Sequence, residues 1–233
     1  MSEAIFSTGE PDAVRGVASP RPWFPRSFVV TDRVAGLERI FDDAVSVCVW
    51  RRGIDQVVDR FLEKGMPATF ERRMAHVSCD RPRFDELLGE IGSQPGGTEF
   101  LAELQSLLEL FASLADCSMA GVRILSGTAR SCPRFHVDHV GLRMVCTWRG
   151  PGTEWLEHEA VERRFLNGTV DRPPDETSGL LRRGAQIYQA KPFDVVVLKG
   201  DLWPNNQGRA AVHRSPWVPP QGTPRVRVTF DAM

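Results

Sequence analysis

From Met119 onward the sequence is a series of short apolar runs cut by glycine, proline and serine: "GVRIL", "FHVDHV", "LRMVCTW", "DVVVLK", "AAVH" and "RVRVTF". Runs of about four to eight residues rich in valine and punctuated this way predict strands rather than helices, and their regular recurrence predicts an all-β sandwich or barrel. The first half reads differently. "VSVCVW" alternates Val45, Val47 and Val49 against Ser46, Cys48 and Trp50, a period of two that predicts one strand there. Ile54, Val57, Val58, Phe61 and Leu62 then fall on one helical stripe ending near Gly65 and Pro67. A short helix is expected over "PRFDELLGEI". A longer one is expected from about Thr98, with Phe100, Leu101, Leu104, Leu107, Leu108, Phe111 and Leu114 forming a wide face that a sheet or other helices must cover.

The fold expected is therefore α+β: one domain over residues 31–233, in which helices of 31–118 support a β-rich half at 119–233. Residues 1–30 carry prolines at 11, 20, 22 and 25 and predict an extended or disordered arm, with Trp23 and Phe24 pinning it to the body. The loop "NGTVDRPPDETSG" is the next least ordered stretch. No repeat or low-complexity tract occurs.

Composition excludes several classes. A formal net charge of -1 gives no electrostatic case for nucleic acid or an anionic membrane as partner. The first thirty residues lack a basic start with an apolar run, and no stretch has the apolar length of a membrane span. The five scattered cysteines include no C-x-x-C pair, which favours a reducing compartment. A cytoplasmic protein is expected. There is no G-x-S-x-G and no Walker-type loop, and "HEAVE" at 158–162 lacks the second histidine of a zinc protease helix. Its charged neighbours read as a solvated face.

His136 and Asp138 are two apart, so on a strand both side chains leave the same face and can reach one ion. The third ligand expected is His213. Two imidazoles and a carboxylate suit iron(II), manganese or zinc and leave coordination positions open. His139 points to the opposite face and is expected as a hydrogen-bonded surface residue, and His76 as structural. After His213 comes a strand with Arg225, Arg227 and Thr229 on one face, and a buried guanidinium is the best partner for a carboxylate. Trp148, Trp155, Trp203 and Trp217 cluster in this half, either as core or as pocket lining.

The order of these pieces resembles the double-stranded β-helix of the 2-oxoglutarate- and iron(II)-dependent oxygenases, in particular the prolyl hydroxylase branch: the "GVRILSG" strand, the H-x-D of "FHVDHV", Arg143 opening "RMVCTW", the turn and acid of "GPGTEW", the histidine of "VHRSP" and the arginine of "GTPRVRVTF". The resemblance covers about residues 45–231. It implies a jelly-roll or cupin-like barrel packed by N-terminal helices. It also implies catalytic iron held by His136, Asp138 and His213, and 2-oxoglutarate held at its distal carboxylate by Arg225, with Arg227 in reserve and Thr229 adding a hydrogen bond. The whole chain also resembles an uncharacterised bacterial family with similar "FHVDH" and "GPGTEWL" stretches, which implies no activity.

The function expected is that of a hydroxylase acting on a small molecule or a protein side chain. The alternative is a metal-binding, non-oxygenase protein of the same barrel that senses, buffers or delivers a divalent ion, and a metal-free β-sandwich interaction module is the third reading. The residues specify neither the substrate nor the oligomeric state.

Overall fold

The computed structural model describes residues 26–64, 73–89, 93–128, 132–166, 173–219 and 221–233. Trp23, Phe24, Gly65 and Pro67, with most of the expected arm and the start of the 167–179 loop, lie outside them. Ten strands form two sheets among the described residues. In chain order they are β1 (Phe28–Thr31), β2 (Val47–Trp50), β3 (Arg73–Ser78), β4 (Met119–Gly127), β5 (Leu142–Arg149), β6 (Glu154–Leu156), β7 (Ile187–Gln189), β8 (Val195–Lys199), β9 (His213–Arg214) and β10 (Arg225–Ala232).

The larger sheet has the order β1-β2-β8-β5-β10-β4-β3, and the smaller the order β7-β6-β9. Of these pairings only β1 with β2 is parallel; the others are antiparallel. The helices are α1 (Gln56–Lys64), the single turn α2 (Asp85–Leu88) and α3 (Gly97–Ala115), with a 3-10 helix over Val34–Phe41.

The period-two pattern of the large sheet explains its two faces. Val122 and Ile124 of β4, Met144, Cys146 and Trp148 of β5, and Val226, Val228 and Phe230 of β10 point one way and join the helices in the main core. Phe100, Leu104, Leu107, Leu108 and Phe111 of α3 are the residues that meet them, and Phe111 stacks on Phe230 at 5.9 Å between ring centroids. One polar contact fixes how α3 lies: Glu103 accepts a hydrogen bond from Trp148 Nε1 at 3.0 Å and a fork from Arg52 at 2.7 and 3.1 Å. The other face of the large sheet looks toward the small sheet, where Phe28, Val47, Val49, Val145, Val196 and Leu198 pack on Trp155 and Ala211.

Several expectations need correction. Residues 28–30, read as arm, are strand β1, and the N-terminal half supplies three strands of the large sheet as well as helices. The helical stripe from Ile54 begins late: α1 starts at Gln56, Asp55 accepts hydrogen bonds from the amides of Val57 and Val58 as a helix-opening cap, and Ile54 and Val57 are exposed. "PRFDELLGEI" gives only the one turn of α2, its last residues lying outside those described. "FHVDHV" is not a strand. His136 makes an isolated bridge to His213, and the chain then turns away along residues 200–202. "AAVH" is strand only from His213. No helix of the described residues is long and apolar enough to cross a membrane.

Candidate metal centre and its anion-binding wall

His136 and His213 are cross-strand neighbours. Each donates its amide to the other's carbonyl at 3.0 Å, which places both rings on one side of the bridge, 4.5 Å apart between centroids. His213 also stands opposite Trp155 of β6, so it faces between the sheets.

Asp138 is brought in by a different device. Its carbonyl accepts the Asp201 amide at 3.0 Å, and the Val140 carbonyl accepts the Leu202 amide at 3.1 Å, tying residues 138–140 to the turn after β8. Gly200 permits this. A Cβ there would stand 2.8 Å from the Asp138 carbonyl oxygen and would collide with that of Val140. The expected outcome of the H-x-D spacing, two side chains converging, is thus reached through a clamped loop rather than through strand alternation.

His136, Asp138 and His213 offer one ligand atom each within 4.8 Å of one another. Both histidines present Nδ1 to a carbonyl of the residue two before: His136 to Arg134 at 2.9 Å and His213 to Ala211 at 3.1 Å. A carbonyl only accepts, so Nδ1 carries a proton in both rings and Nε2 is the nitrogen turned to Asp138. Nε2 of His136 lies 3.5 Å from Asp138 Oδ1 and Nε2 of His213 lies 3.0 Å from Oδ2. Oδ2 is buried and accepts no hydrogen bond. The two Nε2 atoms and the carboxylate oxygen gathered in this way are a donor set that suits a divalent ion.

The electrostatics agree. Burial opposes charge on His136, but hydrogen bonds with Asp138 and Cys132 outweigh it and raise its pKa to about 10. Burial likewise opposes charge on Asp138, and His213, His136 and Arg143 overcome it, holding the carboxyl far below the usual range.

A cavity of about 140 Å³ opens beside the cluster, lined by both histidines and, on the large sheet, by Arg123, Arg143, Val145, Arg227 and Thr229. Arg227 lies on the cavity and donates to Ser215 Oγ at 3.1 Å. Arg225 is not among the lining residues. It is 5% exposed, donates to Thr147 Oγ1 at 3.3 Å, and its Nε has no partner. Burial, with Arg227 nearby, pushes Arg225 down to about 9, and burial also lowers Arg227. Both guanidiniums stay charged at neutral pH. The structure therefore puts the reserve arginine, with Thr229, at the cavity and the first-choice arginine outside its lining.

His139 is exposed and bonded to Asp201 at 3.0 Å, as expected. Of the tryptophans, Trp148 and Trp155 are core, Trp203 is partly buried and Trp217 is 63% exposed. Sequence reasoning missed Arg123, Cys132, Ser215 and Asp231. Arg123 and Asp231 did carry a signal: each is a charge at an inward position of an alternating strand.

The profile of a family described as "Protein of unknown function (DUF1826)" matches residues 31–231. The chain belongs to the DUF1826 family. No curated protein sequence matches this DUF1826 chain.

Solved structures that resemble it include the dioxygenase for auxin oxidation of rice, at 13% identity and a TM-score of 0.50, covering 88% of this chain and 82% of that one. The corresponding Arabidopsis thaliana enzyme, in its complex with 2-oxoglutarate, is 10% identical with a TM-score of 0.49, over 88% and 91%. A full-length Neurospora crassa protein in complex with alpha-KG is 14% identical with a TM-score of 0.44, over 88% and 83%. At these identities the likeness is one of fold: this DUF1826 protein shares the overall architecture of the rice dioxygenase.

Proposed function

We propose that this DUF1826 protein is a non-haem iron(II)- and 2-oxoglutarate-dependent oxygenase, a hydroxylase of a small molecule or a protein side chain. Its two sheets would be the major and minor sheets of a double-stranded β-helix of the prolyl hydroxylase kind. The observation that carries the reading is the His136, Asp138 and His213 cluster opening on a cavity with a half-buried arginine, Arg227, on the facing strand. Fold likeness to the rice enzyme supports the architecture.

In this reading His136 Nε2, His213 Nε2 and Asp138 Oδ2 hold the ion. Iron(II) bound there would supply oxygen activation coupled to oxidative decarboxylation of the keto acid. The chain's own residues do the rest. The carbonyls of Arg134 and Ala211 fix both imidazoles in the ligating tautomer. Arg227 and Thr229 face the cavity on the same side of β10 and would bind the distal carboxylate, with the buried Arg225 near Arg227 adding positive potential. Leu125 and Val145 give the cavity an apolar side that limits water.

The test is calorimetry with 2-oxoglutarate on anaerobic, metal-loaded protein. One cosubstrate is expected to bind per chain, with at least about a tenfold loss of affinity on Arg227→Ala and a smaller loss on Arg225→Ala. Metal binding without cosubstrate binding would instead support the metal-sensing, buffering or delivery protein.

A further inference from the structure

Asp138 is itself held, and by a chain of charges with no role in the reading above. Arg143 Nη1 lies 2.6 Å from Asp138 Oδ1. The same guanidinium donates through Nε to Asp231 Oδ1 at 2.5 Å and through Nη2 to Asp231 Oδ2 at 3.0 Å. Arg123 Nη2 donates to Asp231 Oδ2 from the far side. Register explains the assembly: Asp231 of β10 stands directly across from Arg143 of β5, and Arg123 of β4 is opposite Thr229, one inward position away. Each of these side chains is largely buried.

Arg143 thus uses three nitrogens, two on Asp231 as a fork and one on Asp138. A lysine has neither the fork nor the reach in two directions at once. With Oδ1 engaged by Arg143 at 2.6 Å, and only 3.5 Å from His136 Nε2, the carboxylate leaves Oδ2 turned to His213 Nε2 at 3.0 Å.

We propose that Arg143 and Asp231 are positioning residues of the metal centre: Asp231 fixes the Arg143 guanidinium, which fixes the rotation of the Asp138 carboxylate and limits it to one oxygen for the ion. This rests on His136, Asp138 and His213 being the metal site. Its consequence is that one coordination position stays clear for a second ligand, because Asp138 is kept from turning both oxygens inward.

Cobalt(II) is the probe, since its visible absorption responds to coordination number and its binding is measured without turnover. Wild-type protein is titrated beside Arg143→Gln, Arg143→Lys and Asp231→Asn, each checked by thermal melting. All three variants are expected to bind cobalt about 10- to 100-fold more weakly and to show an altered spectrum, with lysine failing to restore it. Should Arg143→Gln not fold, Asp231→Asn carries the test, since it keeps the shape of the side chain. A wild-type spectrum in the folded variants overturns the inference whatever the affinity. Failure of wild-type protein to bind cobalt at all would overturn the metal site itself, a separate outcome.

Discussion

At the residue scale, the site is two histidines pointed by carbonyls and one aspartate with an unsatisfied oxygen. His136 carries a proton at neutral pH in the metal-free protein, its pKa being raised to about 10, so ion and proton compete for Nε2. The sign follows: metal affinity rises with pH, by about tenfold per unit between about pH 7 and 9 for the one proton displaced. Titrations with zinc at several pH values, reporting proton release, check this.

The residues of the centre were largely legible in the sequence, because H-x-D followed by a distant histidine and an arginine strand is a pattern of residue types. The choice between Arg225 and Arg227 was not. Both lie on one face of β10, and the register with β5 shifts between Val226 and Arg227, a bulge that re-aims neighbouring side chains in a way that sequence alternation cannot express.

At the element scale, β10 does most to join core and site. One face carries Val226, Val228 and Phe230 into the helices and the other carries Arg225, Arg227, Thr229 and Asp231 toward the small sheet. Phe230→Ala, at a fully buried position stacked on Phe111, is expected to cost about 3–5 kcal/mol in chemical denaturation.

The turn after β8 makes a second prediction. Gly200→Ala forces the backbone of 138–140 away, so metal affinity is expected to fall by about tenfold or more while the fold survives. Isothermal titration beside a melting curve separates those two effects. Long apolar stripes such as that of α3 were readable, as was the alternation of β4, β5, β8 and β10. The short pieces were not. "FHVDHV" alternates like a strand, yet after His136 its backbone partners are turn residues around Gly200, a tertiary contact with no local signature.

For the whole molecule, helices cover one face of the large sheet and the small sheet faces the other, so the centre lies between sheets while the larger apolar core lies on the helix side. The β-rich second half was legible from its punctuation. The entry of β1, β2 and β3 into the same sheet was not, because strand pairing across a long stretch of chain, as between β2 and β8, is set by topology. Cofactor, cosubstrate and the Arg143 relay all depend on His136, Asp138 and His213 binding one divalent ion together.

The direct test is anaerobic titration of metal-free protein with iron(II), beside His136→Ala, Asp138→Asn and His213→Ala. One ion per chain is predicted for the wild type, with binding lost or weakened at least about 100-fold in each variant. Equal iron affinity in the wild type and all three folded variants would contradict it.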